Sequence, residues 1–161
     1  MRRRLMIRTV ASLVALTAMG ATEALGQSAD AEGVKAAAAA FYAALNARDI
    51  GAMEALWARD ASPIMIHPSG PHARAPVVGW EAVRRSFEEA WPQFAEFTVT
   101  VNEPREVRVG QTAAVLVAVT PVRIRTRGGE TISYTALATF GYERQDGRWL
   151  IVVHHASRVP Q

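Results

Sequence analysis

The chain has 161 residues, half of them apolar, which suffices for the core of one small domain and not for two. Its 18 basic side chains exceed the 15 acidic ones, but residues 1–26 hold four and one of these, leaving 14 of each and no net charge to attract nucleic acid. The absence of cysteine excludes disulfides, thiolate metal sites, a thiol nucleophile and a lipid-anchoring cysteine.

The chain opens on Met1-Arg2-Arg3-Arg4, continues with a mostly apolar run from Leu5 to Ala21, and reaches small residues at Ala24-Leu25-Gly26. These are the three parts of a secretory signal, with cleavage expected after Gly26. The run is shorter than the roughly 20 residues that span a bilayer. The expectation is therefore an exported protein, periplasmic or secreted, without a stable membrane anchor. Residues 27–33 are small and polar and read as a flexible leader, followed by one domain over 34–161.

Val34, Ala38, Phe41, Tyr42 and Leu45 recur at helical spacing in an alanine-rich stretch. Asp49 is placed to cap a second, short helix carrying Ile50, Met53, Leu56 and Trp57 on one face. Ser62 to His67 reads as a strand, because Pro68 biases the residue before it toward extended backbone. A loop rich in proline and glycine follows from Pro68 to Gly79. A third helix then carries Trp80, Val83, Phe87 and Trp91 on one stripe, and Pro92 stops it.

Beyond that point the period changes to two. Phe97, Val99 and Val101 alternate with polar residues, and Thr112 to Arg125 forms a long strand, apolar on both parities to Val119. That double parity predicts cover on both faces. Gly128-Gly129 and Asp146-Gly147 turn the chain into strands over Glu130 to Arg144 and Arg148 to Ser157. The expected class is α+β: a curved antiparallel sheet with N-terminal helices packed on its concave face, enclosing a cone-shaped pocket.

Three stretches carry a resemblance. They are Phe41 to Asp49, Ala55 to Ala61 running into Ile66-His67-Pro68, and Gly147 to Ser157. With Gly79 to Val83 they resemble the SnoaL-like and ketosteroid-isomerase-like members of the nuclear-transport-factor-two superfamily. The resemblance implies a cone with an apolar pocket and a homodimer formed through the outer sheet face. It does not fix function, since this fold serves isomerases, cyclases, dehydratases and non-catalytic binding modules alike.

Laid on the ketosteroid isomerase pattern, the base position before the proline is His67. The two oxyanion donors fall on Phe41 and Ala138, neither of which can donate. Steroid isomerisation by that route would lack its main electrostatic stabilisation.

Two-residue turns at both hairpins would pair Arg123 with Tyr134 and Ala138 with His155. Side-chain alternation then groups Arg123, Tyr134, Ala138, Trp149, His155 and Ser157 on one face. The resemblance puts Ala138 in the pocket, which makes that face the concave one. His67 and His155 are thus the candidate acid–base pair, since imidazole titrates near neutral pH. The competing reading makes His155 a core residue hydrogen-bonded by Ser157, Tyr134 or backbone.

Phe41, Trp80, Arg123, Tyr134, Ala138 and Ser157 are the candidate ligand contacts, with Arg123 offering a cation for an anionic group. His154 is expected on the outer face and His72 in solvent. The histidine spacings match no compact metal site, and no cofactor motif is present, so none of either is expected. Two functions remain open on the sequence. One is an exported pocket protein for a small apolar or anionic ligand, acting as a His-assisted isomerase, dehydratase or hydrolase. The other is a non-catalytic exported binding or assembly domain.

Overall fold

The computed structural model describes residues 29–59, 63–68, 73, 75–100 and 106–160. The expected signal segment, residues 27–28 of the leader and His72 lie outside them; residues 29–33 of the expected flexible leader are instead helical, forming the first turn of the helix that follows.

Helix α1 occupies residues 29–47 and buries Val34, Ala38, Phe41, Tyr42 and Ala44 along one side. It ends in a Schellman-type turn, in which Asp49 N–H reaches Ala44 O at 3.0 Å and Arg48 N–H reaches Leu45 O at 3.2 Å. Arg48 takes the left-handed conformation, φ 55°, that this turn requires. Asp49 then caps α2 (Ile50–Glu54), accepting from Ala52 N–H at 2.9 Å. Strand β1 (Ile64–Ile66) and the two-residue β2 (Val77–Val78) precede α3 (Trp80–Ala90). Pro92 converts the end of α3 into a single 3₁₀ turn, Trp91–Gln93.

The remaining strands are β3 (Phe94–Val99), β4 (Glu106–Val109), β5 (Ala113–Thr126), β6 (Thr131–Gln145) and β7 (Arg148–Arg158). They form one curled sheet in the order β2-β1-β7-β6-β5-β3. Strand β4 lies alongside β3 on the same edge of β5, and the sequence reading missed it. All pairings are antiparallel except β1 with β7.

The helices cover the concave face, so the inward residues of β5, β6 and β7 are buried. Double cover of β5 does not hold within the chain. Val115 is 45% exposed and Leu137 42% exposed on the convex face, where no described element packs.

Two one-residue offsets set which side chains face inward. The β5–β6 turn is a three-residue loop, with Gly129 N–H bonded to Thr126 O at 3.0 Å and Gly129 at φ 90°. It pairs Arg123 with Ser133 and Val122 with Tyr134. The β6–β7 turn is the expected two-residue Asp146-Gly147, both at positive φ. Between Gly141 and Tyr142, however, the register shifts, leaving Val152 as an extra residue in β7. Ala138 therefore faces Ala156 instead of His155.

Candidate functional site

A cavity of about 120 Å³ lies between the sheet and the helices. Its floor is Thr120, Val122 and Ile124 from β5, Tyr134, Ala136 and Ala138 from β6, and His154 and Ala156 from β7. Helix α1 contributes Phe41, Tyr42 and Leu45, and α3 contributes Phe87 and Ala90. His67 and Pro68, at the end of β1, close one side, and Phe94, Phe97 and Val99 of β3 close another. The space exists because three alanines occupy floor positions where larger side chains would fill it. No charged side chain is among the lining residues.

The rim at β3 is tied down by α1. Asn46 bonds Val99 through both halves of its amide, donating to the carbonyl at 2.9 Å and accepting from the N–H at 2.8 Å. Arg48 donates to Phe94 O at 3.0 Å and to Ala95 O at 3.2 Å. These bonds satisfy the free edge of β3 and hold the aromatic wall against the helix.

His154 is the unusual residue. It is 5% exposed and sits between Phe41 and Phe140, with ring centroids 4.8 Å and 4.6 Å away. Neither of its ring nitrogens has a hydrogen-bond partner among the described residues. Burial, reinforced by repulsion from His67 and His155, pushes its pKa down to about 3, so it is a neutral imidazole. A neutral ring presents one donor and one acceptor.

The Tyr42 hydroxyl is likewise buried and unsatisfied. Burial raises its pKa, and the adjacent Thr120 hydroxyl only moderates the rise, being directed to Ala136 O at 3.3 Å. Buried polar atoms are almost always paired, so these groups facing one cavity are an exception that a bound molecule would resolve.

His67 Nε2 lies 3.0 Å from Ser86 Oγ, which donates its only hydrogen to Val83 O at 2.7 Å. Ser86 must therefore accept, which places a proton on His67 Nε2.

Several expected site residues move. His155 and Arg123 are exposed on the convex face and Ser157 is on the same side, while His154 is inside, reversing the sequence assignment. The cause is the pair of offsets flanking β6, because a one-residue slip exchanges the faces of a strand. Trp80 is buried but does not line the cavity; its ring lies 6.5 Å from that of Trp57. Phe41, His67, Tyr134 and Ala138 do line it. The sequence reading missed His154 and Arg158; a bulge placed before His154 would have brought both inward. Among the described residues no three His, Asp or Glu side chains converge as a metal site would require, and no helix is long and apolar enough to cross a membrane.

Residues 34–161 match the family model of the SnoaL-like domain. No curated protein matches the chain. A candidate dehydratase of the NTF2-like family from Streptomyces avermitilis superposes with a TM-score of 0.72 at 21% identity, covering 84% of this chain and 99% of its own. A nuclear transport factor 2-like superfamily protein from Salmonella enterica gives 0.74 at 19%, covering 83% and 94%. A candidate calcium/calmodulin-dependent protein kinase type II association domain from Thiobacillus denitrificans is 32% identical, with a TM-score of 0.62 and coverage of 78% and 94%.

Proposed function

The chain belongs to the SnoaL-like domain family of the nuclear transport factor 2-like superfamily, and on that premise we propose that its cavity binds one small, ring-sized molecule bearing a neutral polar group. The observation that carries this is His154, neutral, buried and unpartnered, facing an apolar cavity. An engineered apolar cavity of about 150 Å³ accommodates benzene, whereas sites for drug-sized ligands run from about 300 Å³. At about 120 Å³ the partly open cavity suits a single ring.

The unmet groups at His154 and Tyr42 favour a hydroxyl or carbonyl on that ring. Phenol should therefore bind about five-fold or more tightly than benzene, since an unmet buried polar group is worth about 1–3 kcal/mol. Calorimetry on the protein and on His154→Phe tests this: the variant should lose the preference. Ala138→Leu should fill the floor and abolish binding of both. Equal affinity of the unmodified protein for phenol and benzene would overturn the reading.

A second reading is proton transfer in the same cavity, favoured by the His67–Ser86–Val83 hydrogen bonds, which orient the imidazole. His67 would exchange a proton with the ligand while the neutral His154 N–H stabilises a developing oxyanion, an electrophilic role that neutral imidazole can fill. The solved structure named as a candidate dehydratase lends this reading a reaction class. Its test is a turnover screen with small carbonyl compounds, in which His67→Ala must abolish turnover while phenol affinity persists.

Export and self-association complete the proposal. Mass spectrometry of protein recovered from the periplasm should find Gln27 at the N-terminus. The exposed Val115 and Leu137 support pairing of two copies through the convex face. Leu137→Lys should then halve the mass seen by light scattering.

A further inference from the structure

Resting on the cavity reading above, we propose that the ligand is an amphipathic monoanion: a ring with a hydroxyl or carbonyl at the His154 end and a carboxylate held at the mouth by Arg158. After the bulge in β7, His154, Ala156 and Arg158 share the concave parity, and Arg158 pairs with the inward Ala136. Four residues of strand set the Cα atoms of His154 and Arg158 roughly 13 Å apart along one wall.

The Arg158 guanidinium lies 4.1 Å from the centroid of the Tyr134 ring, and Tyr134 lines the cavity. The cation thus sits on the outside of the cavity wall, exposed, while Tyr134 is half-buried beneath it. Among the described residues no acidic side chain pairs with Arg158.

The two ends of the site differ in what they accept. The deep end has no charged residue, so a carboxylate there would be desolvated without a counter-ion. The mouth offers a guanidinium whose face is occupied by a ring and whose edge keeps its donors for a planar anion. The cavity of about 120 Å³ takes the ring alone, and a chain leaving it past Tyr134 would meet Arg158.

The probes are 3-(4-hydroxyphenyl)propanoate and its truncated neutral counterpart 4-ethylphenol, titrated calorimetrically into the protein and into Arg158→Gln at neutral pH. At low salt the propanoate should bind about three- to five-fold more tightly than 4-ethylphenol, the scale of a partly exposed ion pair. High salt should shrink that gain. Arg158→Gln should erase it while leaving 4-ethylphenol affinity unchanged. The proposal is overturned if the propanoate binds no better than 4-ethylphenol, or if the gain survives in Arg158→Gln. Failure of both probes to bind the unmodified protein would instead refute the cavity reading, and this one with it.

Discussion

Replacing His154 by phenylalanine separates the ligand-binding demand on the cavity from its stability. In the unfolded chain the imidazole titrates at its ordinary value of 6.5, whereas burial holds it at about 3 in the folded protein. Between these values the unfolded chain binds a proton that the folded chain refuses. Stability must therefore fall as pH drops from about 6.5 toward 3 and level off below. At about pH 5 the linkage relation puts this loss at about 2 kcal/mol, and well below pH 3 at about 5 kcal/mol.

At neutral pH the wild type also carries two unmet ring nitrogens, which phenylalanine lacks, and the added carbon can extend toward the cavity. His154→Phe should thus be more stable at neutral pH by about 1–3 kcal/mol, with the gap widening by about 2 kcal/mol near pH 5. Urea unfolding followed by tryptophan fluorescence at the two pH values measures both quantities, provided the slope m is shared. A gap that stays constant or narrows on acidification would refute the reasoning, because it would mean that His154 accepts a proton without unfolding.

Ser86→Ala removes both the acceptor for His67 and the donor to Val83 O, and should destabilise by about 1–2 kcal/mol. Nitrogen NMR of the His67 ring should show the Nε2 signal shift as its acceptor is lost; an unchanged signal counts against this hydrogen bond. Asn46→Ala breaks both bonds to Val99, so hydrogen exchange at the Val99 amide should accelerate at least ten-fold while that of β6 is unaffected. Gly147→Ala places a side chain at φ 77° and should cost about 1 kcal/mol. Gly51→Ala, in α2 with only an ordinary contact to Asp49, should instead raise the melting temperature by a few degrees.

The elements of this protein were largely legible in the sequence because their signals are local. Alanine content and helical spacing mark α1, Asp49 caps α2 through its own side chain, and Pro92 ends α3 within one turn. The long strands announce themselves by period two and by glycine at their turns. Short β4 escaped because a four-residue strand carries too little alternation to stand out.

The site was legible where no pairing between strands had to be counted, which includes Tyr134 and Ala138 within the single strand β6. Phe41 and His67 belong to a helix and to a strand end before a proline, and both were placed at the cavity. Arg123, His155 and Ser157 depended on counting outward from the two turns beside β6. One turn took a three-residue loop in place of two, and one strand absorbed an extra residue at Val152. Each slip costs the backbone little, yet it inverts every side chain beyond it. Sequence alone therefore determined that this chain builds an apolar cone with histidines near its wall. Which histidine faces inward, and which arginine guards the mouth, only the tertiary packing of β5, β6 and β7 decided, because alternation fixes parity while register fixes its sign.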